Sequence, residues 1–311
     1  MKKTLVIGTR GSALALWQAE HVQARLKHRF RSLDVALKII KTKGDKILDQ
    51  SLSKIGDKGL FTREIENELL AHRVDIAVHS LKDLPTETPE GLTIAAISAR
   101  EDVNDVLIST RWTSLADLPD AAVIATGSLR RTAQLRHLRP DLEIIDIRGN
   151  LNTRMQKFDA SAWDGMMLAY AGVKRLGWEH RIAQVIPTSL ILPAVGQGAL
   201  GIEIREDDKD TAKYVAALND DETAAAARAE RALLRTLEGG CQIPIGAYAR
   251  RIGSRLTLDA MVASIDGTIR LDTRGTTTDF SRAAELGVRL AEKLLANGAR
   301  EILDDIRGAT A

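Results

Sequence analysis

The sequence is poor in cysteine and in aromatic residues, and it carries almost no net charge. The single cysteine, Cys241, excludes an internal disulfide and is typical of a protein from a reducing compartment. Aromatic side chains make up 4% of the residues, and 44 basic residues against 42 acidic ones leave a formal net charge of +2. This composition disfavours a general nucleic-acid binder, which needs a basic surface and aromatic stacking platforms.

Long hydrophobic runs are scarce as well. The apolar stretch near the N-terminus ends at Gly8, before Arg10, and is too short for a secretory signal. The uncharged stretch 182–202 contains two prolines and three glycines, which is unlike a membrane-spanning helix. The histidines and the cysteine lack the spacing of metal ligands. The sequence therefore predicts a cytoplasmic protein without a membrane segment or a metal site.

Short apolar strands alternate with amphipathic helices over the first two thirds of the chain. The first series begins with a strand at 4–7 and a helix at 13–30, and a second series begins with a strand at 122–126 and a helix at 128–137. This alternation predicts two α/β lobes, each a parallel or mixed sheet with helices on both faces. A late strand at 200–204 could return to the first lobe, which periodicity alone does not establish.

The C-terminal part of the chain follows a different pattern. An Ala- and Arg-rich helix at 222–237 precedes Cys241, a hairpin is predicted around Asp266 and Gly267, and helices are predicted at 279–297 and 300–307. This pattern predicts a small α+β domain.

Basic side chains follow several predicted strands, where a loop enters a helix. Arg10 follows the first strand, Arg130 and Arg131 follow the strand at 122–126, and Arg148 and Arg154 flank a Gly-Asn turn. The carboxyl ends of parallel strands meet at one edge of a sheet, and helix N-termini and arginine both bind anions. The pattern therefore predicts a ligand with several anionic groups. Each arginine taken alone is also explained as a solvated surface charge.

The segment 75–85 predicts a strand that ends at Ser80 and presents Lys82 and Asp83 before a proline. A carboxylate at such a position can orient an N–H group and stabilise a developing cation, while the adjacent lysine can hold a substrate carboxylate. A loop salt bridge or a turn cap is the alternative interpretation. His79 lies inside the strand and is more typical of a packed residue than of a base.

Cys241 lies in a Gly-Gly-Cys loop, in which the two glycines permit the close approach of a bulky group. A thiol in such a loop can serve as a nucleophile or an attachment point, although a lone cysteine is more usually a small buried apolar residue. The segment 56–61 lacks the spacing of a phosphate-binding loop, so nucleotide binding is not favoured.

Several motifs together resemble the porphobilinogen deaminase family, also called hydroxymethylbilane synthases, over essentially the whole chain. Each motif is weak alone, but their order and completeness make accidental similarity very improbable. Asp57 departs from the family pattern, since many members have a second glycine there, and this departure concerns the flexibility of its loop. The motifs are residues 9–19, 58–61, 75–85, 127–131, 148–150, 192–199 and 238–246.

The resemblance implies an α/β fold of two periplasmic-binding-protein-like lobes with five-stranded mixed sheets, plus a small α+β C-terminal domain. The implied domains comprise residues 1–98 with 199–216, residues 104–192, and residues 221–311. It implies a dipyrromethane cofactor in thioether linkage to Cys241. It also implies a transferase that condenses four porphobilinogen molecules head to tail, with loss of ammonia, and releases hydroxymethylbilane with water. The expected protein is a cytoplasmic monomer with no nucleic-acid or membrane partner, which hands its product to the next enzyme of the pathway.

The resemblance also assigns roles to individual residues. Asp83 matches the catalytic aspartate, and Lys54, Lys58 and Phe61 belong to the loop region, with 43–58 as a covering loop. The alternative, a cytoplasmic polycarboxylate-binding protein without catalysis, leaves the Gly-Gly-Cys loop and the third domain unexplained. Positions that match cofactor- and substrate-binding residues are Arg10, Ser12, Gln18, Ser80, Lys82, Thr126, Ser128, Arg130, Arg131, Arg148, Arg154, Arg175 and Gln197.

Overall fold

The computed structural model of the chain describes residues 4–42, 44, 62–237 and 243–308. Cys241, Lys54, Lys58 and Phe61, together with most of the expected loop at 43–58, lie outside these residues. The described residues divide into two compact units: one contains those up to 101 together with 199–224, and the other contains 102–198 and 225–308.

The strands and helices follow one another in the order that the sequence pattern predicts, with additional short elements between them. The strands are β1 (Thr4–Thr9), β2 (Asp34–Ile39), β3 (Ile76–Ser80), β4 (Leu92–Ile97), β5 (Asp105–Ile108), β6 (Val123–Ala125), β7 (Glu143–Ile145), β8 (Gly165–Ala169), β9 (Ile182–Ile186), β10 (Leu200–Arg205), β11 (Ile245–Ile252), β12 (Arg255–Ala263) and β13 (Arg270–Thr277). The helices are α1 (Ala13–Arg29), α2 (Arg63–Leu70), α3 (Leu129–Leu138), α4 (Leu151–Asp159), α5 (Tyr170–Arg175), α6 (Lys209–Val215), α7 (Asp221–Thr236), α8 (Ala283–Leu294) and α9 (Arg300–Gly308).

The first unit is built on a five-stranded mixed sheet with the strand order β2-β1-β3-β10-β4. Strand β1 is parallel to β2 and β3, whereas β10 is antiparallel to both of its neighbours. The late strand therefore does return to the first lobe. Apolar residues of β1 such as Leu5 and Ile7 pack against Ala19, Val22 and Leu26 of α1, whose helical spacing places them on one face.

The second unit contains a sheet of the same design, with the order β7-β6-β8-β5-β9. Strand β6 is parallel to β7 and β8, and β5 is antiparallel to β8 and β9. Leu107 and Met167 pack on one face of the sheet, and Val106 and Met166 pack on the other. Because helices cover both faces, strands β5 and β8 are buried along their whole length. The structure thus confirms the predicted pair of five-stranded mixed sheets.

The C-terminal part of the second unit is an antiparallel meander, β11-β12-β13, which confirms the predicted small α+β region. Helices α7, α8 and α9 contribute to the core on one face of this sheet. On the other face, Met261 and Ala263 pack against Ala133 of α3 and against Leu192. Residues 102–198 and 225–308 form one compact unit, and the finer boundaries expected from the sequence stay a prediction.

The predicted helix at 279–297 begins later than expected. Asp279 caps a short 3-10 turn, Phe280–Arg282, so α8 begins only at Ala283. In the ranges that the structure describes, no helix combines the length and the apolar content needed to cross a membrane.

We expect the close crossing of α7 and α8 to depend on Gly287. A Cβ atom at this position would lie 2.9 Å from the Leu233 amide nitrogen and even closer to the Ala229 carbonyl oxygen, both of which are backbone atoms that cannot rotate away. Gly287→Val should therefore lower the free energy of unfolding by about 3 kcal/mol in urea titrations. Gly308→Ala, where a new Cβ meets open space, is the matched control. An unchanged midpoint for Gly287→Val would show that the two helices separate at little cost.

Candidate active site

In the first unit, the chain leaves β1 through a short loop that begins with Arg10. Ser12 ends this loop with an extended backbone and caps α1, because its Oγ accepts a hydrogen bond from the Ala15 N–H (3.4 Å). The buried Thr9 hydroxyl donates to the Ala15 carbonyl (3.0 Å) and secures the same turn. The N-terminus of α1 therefore lies at the carboxyl edge of the sheet, where its free N–H groups favour an anion.

The end of β3 lies at the same edge, because β1 and β3 are parallel neighbours. Gln18 of α1 is buried, and its Nε2 donates to Ser80 Oγ over 2.8 Å. The chain then turns through Leu81–Asp83, in which Leu81 is buried and donates its N–H to the Ala199 carbonyl (3.0 Å). This anchor leaves Lys82 half-buried and Asp83 exposed in the turn. The structure thus places at one sheet edge the site residues that the sequence predicts for the first unit, namely Arg10, Ser12, Gln18, Ser80, Lys82 and Asp83.

His79 is buried, as the sequence pattern indicates, but it is not isolated. Its Nε2 lies 3.3 Å from Oε2 of Glu203, a fully buried residue of β10. Burial raises the pKa of the neighbouring Glu66 carboxyl group on α2, and the negative charge of Glu203 adds to this effect. His79 belongs to β3, the strand that ends at Ser80, and Glu203 belongs to the neighbouring strand β10.

In the second unit, two helix N-termini meet at the carboxyl ends of β6 and β7. Ser128 caps α3 and Asn150 caps α4, each through its side-chain oxygen. A Cβ atom at Gly127 would lie 2.7 Å from the Ile147 carbonyl oxygen, so only glycine lets the two loops approach this closely. The buried Thr126 hydroxyl accepts from the Ser128 N–H (3.3 Å) and orders the first loop.

Arg148 and Arg154, which also lie near this edge, each donate a hydrogen bond to a residue of their own loop. Arg148 Nε donates to Asp146 Oδ2 (2.9 Å), and Arg154 Nε donates to the Gly149 carbonyl oxygen (2.9 Å). Arg175 lies in the last turn of α5, and its Nη2 donates to the Gly198 carbonyl oxygen (2.7 Å). These contacts fix one end of each guanidinium plane.

Asp105 is the centre of the charged site in the second unit. It is the first residue of β5 and is fully buried, and each of its carboxylate oxygens lies 2.8 Å from one guanidinium group, that of Arg130 or that of Arg131. Gln197 Nε2 also donates to Asp105 Oδ1 (2.8 Å) and to the Val103 carbonyl (2.7 Å). Both arginines are 95% buried, so this network is removed from bulk water.

The charges in this network do not cancel. Burial by itself would raise the pKa of Asp105, but Arg130 and Arg131 outweigh that effect and hold its pKa well below its usual range. Burial lowers the pKa of Arg130, an effect that Asp105 opposes, yet a guanidinium keeps its proton in proteins. Two cations therefore share one carboxylate, which leaves one positive charge in a desolvated site. Within the described ranges, the buried Nε of Arg131 has no acceptor.

Sequence reasoning identified the arginines but missed Asp105, their common partner. The short strand β5 is followed by another strand, β6, and not by a helix, so the alternation of strands and helices does not mark it, and the ion pairs connect residues that lie far apart along the chain. Gln134, buried on α3, was also missed: it donates to the Leu192 carbonyl and accepts from the Leu192 N–H. In the described part of the chain, no group of three or more His, Cys, Asp or Glu residues is arranged to hold a metal ion.

Two family models match the chain. One, described as porphobilinogen deaminase, dipyromethane cofactor binding domain, matches residues 5–213, and one described as porphobilinogen deaminase, C-terminal domain, matches residues 224–296. Among curated relatives, the porphobilinogen deaminase of Chlorobium limicola is 57% identical over 310 residues, 99% of each chain. That of Chlorobaculum parvum is 56% identical over 309 residues, again 99% of each chain.

Solved structures show only a distant similarity. The periplasmic VFT2 domain of Bordetella pertussis BvgS has a TM-score of 0.42 at 12% identity, covering 71% of this chain and 91% of that chain. The periplasmic aliphatic sulphonate binding protein SsuA from Escherichia coli has a TM-score of 0.41 at 14% identity, covering 76% of this chain and 71% of that chain.

We expect Asp105→Asn to destabilise the protein, since it leaves two buried guanidinium groups without a counter-charge. The loss in free energy of unfolding should be about 3–5 kcal/mol at neutral pH. Because the folded-state pKa of Asp105 is depressed, its contribution is present above the unfolded value of about 3.9 and is lost as the pH falls below it.

Urea titrations between pH 3 and pH 7 would test this expectation. The difference between wild type and Asp105→Asn should be constant at the upper end of this range and should shrink toward the lower end. Asp304→Asn is the matched control, because it removes a long, exposed ion pair with Arg307 and should change stability little. Equal stability of wild type and Asp105→Asn at neutral pH would contradict the assignment of this ion-pair network.

Proposed function

Because this chain belongs to the porphobilinogen deaminase family, we propose which of its residues carry out that family's reaction. The chain is a transferase of the hydroxymethylbilane synthase type: it condenses four porphobilinogen molecules head to tail, with loss of ammonia, and water releases the linear tetrapyrrole. The match to curated deaminases over 99% of the chain disfavours the alternative of a binding protein without catalysis.

The described residues fit a dipyrromethane cofactor, whose pyrrole rings carry carboxylate groups. The Asp105 network has one uncompensated positive charge, and the buried Nε–H of Arg131 has no acceptor in the described part of the chain. A carboxylate would satisfy both. When bound, the cofactor supplies the pyrrole to which the first substrate unit is joined. We assign its thioether attachment to Cys241, on the family resemblance.

We assign the catalytic role to Asp83. Loss of ammonia leaves an electron-poor methylene pyrrole, in which positive charge develops on the pyrrole nitrogen. A carboxylate held against that N–H stabilises this charge during deamination and coupling. The structure supports this role because the buried Leu81 and the Gln18–Ser80 hydrogen bond fix both sides of the strand end from which Asp83 is presented. Lys82 lies beside it and suits a substrate carboxylate.

We assign carboxylate binding to the arginines at the two sheet edges. The observation that carries this assignment is the excess positive charge of the buried pair Arg130 and Arg131, next to the N-terminus of α3. Neutral groups at the same edges, which hold those arginines and helix ends in place, have a supporting role. The arginines are Arg10, Arg130, Arg131, Arg148, Arg154 and Arg175, and the supporting residues are Ser12, Gln18, Ser80, Thr126, Ser128 and Gln197.

The remaining expectations from the sequence stand as proposals. Lys54, Lys58 and Phe61, which lie outside the described residues, are assigned to the loop region on the family resemblance alone. We further propose a cytoplasmic monomer that passes its product to the next enzyme of the pathway. The single cysteine, which is typical of a protein from a reducing compartment, supports the cytoplasmic assignment.

The attachment of the cofactor is tested by the intact mass of the purified protein. The wild type should exceed its calculated polypeptide mass by two deaminated porphobilinogen units, and Cys241→Ser should show the bare polypeptide mass and no activity. A bare wild-type chain should gain the same mass on incubation with porphobilinogen. Retention of the added mass in Cys241→Ser would place the attachment on another residue.

Asp83→Ala should retain the fold and the cofactor mass but lose turnover. The expected loss in kcat is about 10²–10³-fold, the range for removal of a group that stabilises a developing charge. Ammonia release from porphobilinogen is the assay, and circular dichroism monitors the fold. Glu90→Gln, at an exposed position of the same unit, is the control and should be fully active. A fully active Asp83→Ala would overturn the catalytic assignment.

A further inference from the structure

Glu230 is a buried acidic residue that the proposed machinery does not use. It lies on α7 and has no solvent exposure. Its Oε2 accepts a hydrogen bond from the Gly196 N–H, and its Oε1 accepts one from the Ala249 N–H, each over 2.7 Å. Burial of a carboxyl group is unfavourable unless its oxygens are hydrogen-bonded. Glu230 therefore joins three separate stretches of the second unit at one point.

One of these stretches, residues 192–198, which we call the connector, touches the charged site at three places. The Leu192 carbonyl oxygen accepts from Arg130 Nη1 (2.6 Å), and the Gly198 carbonyl oxygen accepts from Arg175 Nη2 (2.7 Å). Between them, Gln197 Nε2 donates to Asp105 Oδ1 (2.8 Å). The path of the connector thus determines where Arg130, Arg175 and the Asp105 carboxylate are held.

The backbone of the connector has an unusual conformation around Gln197. Gly196 has a φ of +73° and Gly198 has a φ of +90°, so two left-handed glycines flank this residue. One internal hydrogen bond, from the Gln197 N–H to the Ala194 carbonyl (3.0 Å), closes a turn in the connector. Because glycine has many accessible conformations, this turn needs further ties to hold its path. The hydrogen bond from the Gly196 N–H to Glu230 restrains the Val195–Gly196 peptide, one residue before Gln197. A second tie, from the Ala247 N–H to the Pro193 carbonyl (3.0 Å), restrains the start of the connector.

We infer that Glu230 is a positioning residue for the binding of substrate and of the growing chain. It fixes the connector, and the connector in turn holds Gln197, Asp105 and the guanidinium groups of Arg130 and Arg175 in the arrangement that binds carboxylates. This inference rests on the carboxylate-binding role proposed above for the arginines. The helix that carries Glu230 also leads to the cofactor cysteine, since α7 ends at Thr236 and Cys241 follows five residues later.

Replacement by glutamine separates hydrogen bonding from packing. Glu230→Gln keeps the size of the side chain but supplies only one acceptor, because the amide nitrogen is a donor. One of the two N–H groups, that of Gly196 or that of Ala249, would then face another donor at a fully buried position. Glu230→Asp retains both acceptors on a shorter arm, so it is the conservative variant for rescue.

The test uses the holoenzyme, with the cofactor verified by intact mass. Glu230→Gln should raise the KM for porphobilinogen about tenfold while kcat stays within about threefold, since a weakened carboxylate site loses binding that ground state and transition state share. Glu230→Asp should give an intermediate KM. Hydrogen exchange measured by mass spectrometry should be faster in Glu230→Gln for the peptide that spans the connector. Glu292→Gln, at an exposed position of α8, should match wild type in every measurement.

An unchanged KM in folded Glu230→Gln would overturn the inference, as would a fall in kcat alone. If Glu230→Gln does not fold, the KM of Glu230→Asp is measured instead. A KM above the wild-type value would support the positioning role, and an unchanged KM would overturn it. Arg131→Lys separates the proposed carboxylate binding by the arginines from the positioning role of Glu230. An unchanged KM in Arg131→Lys would defeat the proposed carboxylate binding itself, whereas a raised KM there together with a normal KM in Glu230→Gln would defeat only the positioning role.

Discussion

The buried carboxylate of Asp105 is the constraint around which the second unit is arranged. Two guanidinium groups could not stay in a desolvated site without a counter-charge, because the cost of burying them would exceed what packing contributes. Asp105 satisfies this need from the start of β5, next to the end of β8, and so places Arg130 and Arg131 at the sheet edge. One carboxylate shared by two cations leaves a positive charge that suits a polycarboxylate ligand.

The two units use one architecture for different chemistry. Each has a mixed sheet in which a strand that arrives out of order runs antiparallel to its neighbours. At the edge of the first unit, neutral contacts such as Gln18–Ser80 hold the strand end firmly and leave Asp83 exposed in a turn. At the edge of the second unit, the contacts are charged and buried. A reacting carboxylate needs access to substrate, whereas carboxylate-binding groups gain strength from low polarity.

Local patterns predicted much of this fold, and long-range pairings account for most of what they missed. The strand at 4–7 and the helix at 13–30 were recognisable because β-branched runs and helical spacing act over a few residues. Strand β5 is as long as the strand predicted at 4–7, but it is followed by another strand and not by a helix, so the alternation of strands and helices does not mark it, and β9 is hidden in the uncharged run after Arg181. The motifs indicated Arg130 and Gln197, but their meeting at Asp105 depends on the folded sheet.

The place of β10 has a consequence for how this chain is made. Strand β10 lies between β3 and β4 and is buried along all of its length, yet it follows β4 by about a hundred residues in the sequence. While the chain emerges from the ribosome, β3 and β4 thus have unpaired edges until the intervening residues have been synthesised. The N-terminal lobe cannot close its sheet first and wait for the rest. Its completion is tied to the emergence of the second lobe, so translation of the middle of the chain sets the time at which the lobe that carries Asp83 becomes native.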